Sequence, residues 1–261
     1  ASDVYEDEGV LMITPSATAP NITTRGYKLV FRTIGLDSDQ APVAGKYIVA
    51  QYKGKNIAVL HDKQQYGEGI ASSVKKVIEG AGQKVAIYEG LNAGDKDFSP
   101  LIAKLKRANI DFVYFGGYHP EMGLLMRQAR QAGLKAQFMG PEGAGNKELS
   151  AIAGEAAEGL LVTLPRAFET DPKNKAIIDS IRAAKKDPTG IFVMPAYAAV
   201  QVMAEGIKKA GTDPEKVAAA LRANKFNTPI GNIGFNAKGD ETNFTFSVYK
   251  WHRNGSKTLV K

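Results

Sequence analysis

The apolar positions of this chain switch repeatedly between two periods. Residues 56–62 (NIAVLHD) form a nearly unbroken apolar run, the pattern of a buried strand. Ile70, Val74, Val77, Ile78 and Ala81 then recur at helical spacing, and Gly80 and Gly82 close that helix. A strand over 84–88 (KVAIY) comes next. It leads to a helix with Ser99 as N-cap, Pro100 in its first turn and Leu101, Ile102 and Leu105 as its apolar stripe. A third strand covers 111–115 (DFVYF). Leu125, Met126, Ala129 and Ala132 mark another helix, stopped at Gly133. Shorter strands over 137–139 and 160–163 enclose a helix over 148–157. Strands alternating with helices of this length predict an α/β protein with a parallel sheet covered on both faces, the doubly wound arrangement.

Further along the pattern changes. Three helices, over 177–184, 196–210 and 214–223, follow in near succession. A β-rich end comes after them, at 234–235 and over 244–251 (FTFSVYKW), where apolar residues alternate at period two. A run of helices at this point predicts that the chain has left the first sheet, hence two lobes. At the other end, residues 1–8 (ASDVYEDE) with Gly9 read as the last turns of a helix and its cap, leading into a strand over 10–14 (VLMIT). A parallel β-α-β unit needs a strand before that helix, so the expectation is a chain that starts inside a domain, with no signal peptide ahead of it.

Composition narrows the chemistry more than the fold. With 261 residues, 44% apolar and 23% charged, the chain is of ordinary globular type. The absence of cysteine excludes thiolate metal sites, iron–sulfur clusters, cysteine nucleophiles and disulfides. The longest apolar runs are too short to span a bilayer, so no membrane insertion is expected. An excess of 34 basic over 27 acidic residues gives a net charge of +7. The lysines are scattered in ones and twos, without a basic run or interleaved aromatics, which reads as a solvated surface and excludes nucleic acid as a partner.

In open parallel sheets, ligands bind beyond the carboxyl ends of the strands. The turn after each predicted strand is therefore the place to look. The turns are Pro15-Ser16-Ala17-Thr18, Lys63-Gln64-Gln65-Tyr66-Gly67, Gly116-Gly117-Tyr118-His119-Pro120 and Gly140-Pro141-Glu142-Gly143. Together they supply hydroxyls, two tyrosines, glycines for close backbone approach and one carboxylate. That set suits an amino acid: Glu142 for the ammonium, Ser16 and Thr18 with backbone N–H groups for the carboxylate, Tyr66 and Tyr118 for the side chain. Other chemistry is poorly supplied. Gly67-Glu68-Gly69-Ile70-Ala71-Ser72 sits where a dinucleotide fingerprint would, yet its third glycine is Ser72 and Glu68 lies where a pyrophosphate would go, so it reads as a plain strand–helix turn. There is no Gly-x-Ser-x-Gly elbow and no Walker A motif. His61, His119 and His252 lack metal-site spacing and are expected to make local hydrogen bonds. No catalysis, metal or cofactor is expected.

The segments YEDEGVLMITPSATAP, VLHDKQQYGEGIA, DFVYFGGYHPEMG and QFMGPEG resemble the leucine/isoleucine/valine-binding proteins that serve branched-chain amino acid ABC transporters, the Pseudomonas type above all, and the resemblance runs the length of the chain. It implies a type I periplasmic binding protein fold. Each of two lobes would be a doubly wound, mostly parallel sheet: lobe I from residues 1–36 and 166–245, without its N-terminal strands, and lobe II from 37–165 and 246–261. Hinge crossings would fall near 34–37, 165–167 and 245–247. It also implies a periplasmic, non-enzymatic receptor that captures Leu, Ile or Val by hinge closure and delivers it to membrane ABC permease subunits. The site would comprise Ser16, Thr18, Tyr66, Tyr118, Glu142 and Phe192, the last on resemblance alone. A ligand-sensing regulatory subunit or receptor domain of the same fold, for a related amino acid or amide, is the alternative.

Overall fold

A computed structural model describes residues 1–260 and divides the chain into two units, Ala1–Leu36 with Pro165–Thr245, and Asp37–Leu164 with Phe246–Lys261. The chain passes between them three times.

The second unit is built on a seven-stranded sheet. Its strands are β3 (Ile57–His61), β4 (Val85–Gly90), β5 (Phe112–Gly116), β6 (Gln137–Gly140), β7 (Leu161–Pro165), β10 (Phe246–Trp251) and β11 (Lys257–Leu259), in the spatial order β11-β10-β7-β6-β5-β3-β4. Pairings from β4 to β7 are parallel, and β10 with β11 is an antiparallel hairpin. Every residue of β3 and β5 is buried, which is why their apolar runs are unbroken. Helices α3 (Gln65–Gly80), α4 (Ser99–Arg107) and α5 (His119–Gln131) join the successive strands. Gly82 and Gly133, at φ +81° and +76°, end α3 and α5 in the left-handed region that a side chain would disfavour. From β3 the chain runs to one side, to β4, and then crosses to the other, to β5. The carboxyl ends of β3 and β5 therefore diverge at a topological switch point, where a cleft opens in any sheet of this order.

The first unit holds the short helix α1 (Ser2–Asp7), then β1 (Met12–Thr14) and β2 (Val30–Arg32), paired in parallel with Met12 opposite Val30, and the antiparallel hairpin of β8 (Phe226–Thr228) and β9 (Gly231–Ile233). Helices α7 (Lys175–Ala183), α8 (Val193–Ala210) and α9 (Pro214–Ala223) supply half of its buried core. Met194, Ala198, Val202, Val217 and Leu221 close over Phe31, Phe226 and Phe235. Asp213 caps α9, its Oδ1 accepting the N–H groups of Glu215 and Lys216 at 3.0 and 3.1 Å.

Several elements differ from the sequence reading. Ser99 is already helical. Its N–H is taken at 2.9 Å by the carboxylate of Asp97, whose pKa is lowered first by the Ser99 hydroxyl and then by this backbone bond, so Asp97 is the capping side chain. Strand β1 starts at Met12, and the helix over 148–157 is α6 (Glu148–Ala153) followed by a tighter turn at Gly154–Ala157. Residues 234–235 lie outside the strands; the hairpin is β8–β9, whose short members carry too few apolar positions for a period to show. Strand β2 and helix α2 (Asp37–Gln51) lie in a stretch where the pattern predicted nothing. Pro42 stands inside α2, and a proline mid-segment speaks against a helix unless packing supports it. Ala41, Ala44 and Ile48, fully buried against Ile70 and Val74 of α3, supply that packing.

Candidate ligand-binding site

Three of the predicted ligand residues meet within the second unit. Tyr66 opens α3 just beyond β3, Tyr118 precedes α5 just beyond β5, and Glu142 follows β6. They thus stand around the switch point. The rings of Tyr66 and Tyr118 lie 5.1 Å apart, and the Tyr66 hydroxyl donates to Glu142 Oε1 at 2.7 Å. Gly143 makes the approach possible: a Cβ there would lie 3.0–3.1 Å from Gly117 O and from both tyrosine rings. Gly67 and Gly116 bring α3 against β5 in the same way, since a Cβ on Gly67 would fall 2.6 Å from Gly116 O and 2.2 Å from Asp62 Oδ1. Gly67-Glu68-Gly69 lies inside α3 and not in the strand–helix turn that the sequence suggests, and only Gly67 serves this close packing, since a Cβ on Gly69 would meet nothing within 4 Å.

Glu142 is only 2% exposed, so its charge must be met inside the protein. The amide nitrogen of Gln40, on α2, donates to Glu142 Oε2, and Gln40 Oε1 in turn accepts the Glu142 N–H at 3.1 Å and the Thr163 hydroxyl at 2.6 Å. The Tyr66 oxygen accepts the Gly143 N–H at 3.2 Å, which directs its own proton to the carboxylate. Burial, then the adjoining Glu142 charge, then Asp37, push the Tyr66 phenol well above its usual range, and the same three causes act on the buried Tyr114. Tyr118 shifts upward for similar reasons, burial first. All three phenols therefore stay protonated at any physiological pH, and that of Tyr66 donates its proton to Glu142. Gln40, Thr163 and Tyr114 were not singled out by the sequence reading. Gln40 sits on the helix that the apolar pattern failed to reveal, and its partner is 102 residues away. A buried polar residue on the inward face of a helix is the signal that could have found it.

The other predicted residues belong to the first unit. Ser16 and Thr18 follow the carboxyl end of β1, Ser16 exposed and Thr18 only 2% exposed. Thr14 Oγ1 accepts the N–H groups of Ser16 and Ala17 at 3.4 and 3.1 Å. The fully buried Arg32 anchors the turn from beneath, donating to Ala17 O at 2.7 Å and Ala19 O at 3.1 Å on either side of Thr18, and to the Thr23 hydroxyl at 2.8 Å. Its charge is met by Asp240 at 2.8 Å. Phe192 is half-buried at the N-cap of α8. A cavity of about 820 Å³ in this unit, lined by Arg166, Tyr197, Gln201 and Asn227 among others, includes none of the predicted residues. The histidines make local bonds: His61 accepts the Lys63 N–H, His119 meets Glu148, and His252 bridges Glu158 and Thr258. No helix among the described residues is long and apolar enough to cross a membrane.

A buried, hydrogen-bonded carboxylate thus stands beside paired tyrosines at the switch point of a sheet in this order. The family model described as "Periplasmic binding protein" matches residues 1–256, and the chain belongs to that family, with its type I α/β fold. Within it, the chain is 71% identical to the leucine-, isoleucine-, valine-, threonine- and alanine-binding protein of Pseudomonas aeruginosa, over 100% of this chain and 70% of that one. Among solved structures, a leucine-binding protein from Thermotoga maritima is 29% identical with a TM-score of 0.90, covering 100% of this chain and 75% of that one. The branched-chain amino acid binding protein of Streptococcus pneumoniae, in complex with isoleucine, is 25% identical with a TM-score of 0.85, over 100% and 75% of the two chains.

Proposed function

We propose that this protein is the periplasmic receptor of an ABC importer and binds branched-chain aliphatic L-amino acids without transforming them. The observation that carries the reading is Glu142: a 2% exposed carboxylate, held between Tyr66 and Gln40, in a chain 71% identical to a leucine-, isoleucine-, valine-, threonine- and alanine-binding protein. Glu142 takes the ligand ammonium. Ser16, through its backbone, and Thr18, through backbone and hydroxyl, take the ligand carboxylate, and Tyr66, Tyr118 and Phe192 cover the aliphatic side chain. The loaded receptor delivers its ligand to membrane permease subunits, closing about its hinges as periplasmic binding proteins do.

Selectivity among the aliphatic ligands is shallow on this reading. One methylene contributes about 0.8 kcal/mol, roughly a fourfold change in affinity. Removing the charge that pairs with a desolvated ammonium costs about 2–5 kcal/mol, thirtyfold or more. Calorimetric titration with leucine, isoleucine, valine, threonine and alanine tests both figures. Leucine, isoleucine and valine should bind within about tenfold of one another, and Glu142→Gln should weaken all three at least thirtyfold. A Glu142→Gln variant with unaltered leucine affinity would falsify the ammonium assignment, and no binding of any of the five would remove the reading.

A further inference from the structure

We propose that Gln40 is a positioning residue for ligand recognition: its side-chain amide aims the Glu142 carboxylate at the ligand ammonium. The inference rests on the functional reading above and adds to it a residue outside the predicted ligand shell. Gln40 is fully buried on the first turns of α2, as is Thr163 on β7. An amide has a donor end and an acceptor end, and its neighbours decide which faces where. Gln40 Oε1 receives two donors, the Thr163 hydroxyl at 2.6 Å and the Glu142 N–H at 3.1 Å. Its NH₂ end must then face the Glu142 carboxylate, where it donates to Oε2. From the other side the Tyr66 proton is directed onto Oε1, because the Tyr66 oxygen is occupied by the Gly143 N–H.

Each oxygen of the carboxylate is thus held by a donor whose polarity is fixed by a third group. Gln40 also grips Glu142 at two points, backbone and side chain, and so locks the rotamer of a residue that is otherwise among the most flexible. An anion already oriented needs no reorganisation when a cation arrives, the sense in which preorganisation raises affinity. Asp37 lies in the same first turn of α2, and its charge acts on Tyr66 and Tyr114 together with that of Glu142. A neutral amide at position 40 therefore fixes Glu142 without adding a third negative charge.

The test is a double-mutant cycle in the intact protein, reading leucine affinity by calorimetry for the wild type, Gln40→Met, Glu142→Gln and the pair. Methionine keeps the length of the side chain and removes the amide. If Gln40 acts through Glu142, Gln40→Met weakens leucine binding about tenfold in the wild type, the weight of one hydrogen bond to a charged group, and less than twofold in the Glu142→Gln background. An equal loss in both backgrounds would mean that Gln40 merely supports the fold, and an unchanged affinity that it does nothing for binding; either overturns the proposal while leaving the receptor reading intact. Wild-type protein that binds no leucine would instead overturn the receptor reading itself. Should Gln40→Met fail to fold by circular dichroism, Thr163→Val, which removes the hydroxyl that fixes the amide, carries the same cycle, with a smaller loss again confined to the wild-type background.

Discussion

Replacing Asp240 by alanine should cost the first unit far more than the loss of an ordinary surface ion pair. Arg32 and Asp240 form a bridge at 2.8 Å in which the side chains are 0% and 5% exposed. The Thr23 hydroxyl donates to the same Asp240 oxygen at 2.6 Å and accepts from Arg32 Nη2 at 2.8 Å, so three groups are tied into one buried knot. In Asp240→Ala the guanidinium stays inside and loses that carboxylate. Breaking a buried pair from one side costs about 3–5 kcal/mol. Asp240→Asn keeps an oxygen for Thr23 and loses only the charge, so its cost should be smaller. Lys175 and Asp179 provide the comparison: they pair on the surface of α7 with side chains 78% and 49% exposed, and Asp179→Ala should cost about 0.5 kcal/mol or less. Urea denaturation followed by circular dichroism measures all three. Salt at about 0.5 M should leave the Asp240 result unchanged, because a buried pair is little screened. Since Arg32 also holds Ala17 O and Ala19 O, amide hydrogen exchange over residues 15–19 should rise in Asp240→Ala. A cost below about 1 kcal/mol for Asp240→Ala would refute the claim that this knot anchors the turn bearing Ser16 and Thr18.

Three further outcomes are expected. Burial raises the Glu241 carboxyl from 4.5 to about 6 against the pull of the N–H groups of Asn243, Phe244 and Thr242, so the folded state favours its neutral form and stability falls as pH rises from about 4.5 past 6. Glu241→Gln should remove up to about 2 kcal/mol of that decline, and denaturation curves at pH 5 and pH 8 that decline equally in both proteins would contradict it. Gly67→Ala would force a Cβ to 2.2 Å from Asp62 Oδ1 and 2.6 Å from Gly116 O, and should destabilise the second unit by about 3 kcal/mol or abolish soluble expression; a thermal midpoint within about 2 °C of wild type, equivalent to about 0.5–1 kcal/mol, would show that the helix–strand contact is softer than described. Asp213→Ala removes the acceptor for two N–H groups at the start of α9 and should cost about 1 kcal/mol, read by urea denaturation, where no loss would mean that water replaces the cap.

The parallel core was legible because burial on both faces writes itself into the sequence as apolar runs. Val59, Leu60, Val113 and Phe115 mark their strands unaided, and Gly82 and Gly133 mark the ends of their helices by a backbone conformation that glycine adopts readily. What escaped was written in tertiary contacts. Helix α2 carries Pro42 and few large apolar residues and depends on packing against α3. The cap at Ser99 came from Asp97, two residues upstream, because a helix boundary shifts easily by that much. Tyr66, Tyr118 and Glu142, which the structure brings together, could be named from sequence because each comes after a strand, and strand order alone sends those turns to one end of the sheet. Gln40 and Thr163 could not. Their importance lies in which way an amide points, and that is settled by partners more than 100 residues away.

The most direct test of the central claim is a crystal structure of the protein grown with L-leucine. The ligand nitrogen should lie about 2.7–3.0 Å from a Glu142 carboxylate oxygen, with the Tyr66 and Gln40 bonds to that carboxylate still in place. Leucine bound with its nitrogen on another acceptor, and Glu142 facing only Tyr66 and Gln40, would contradict it.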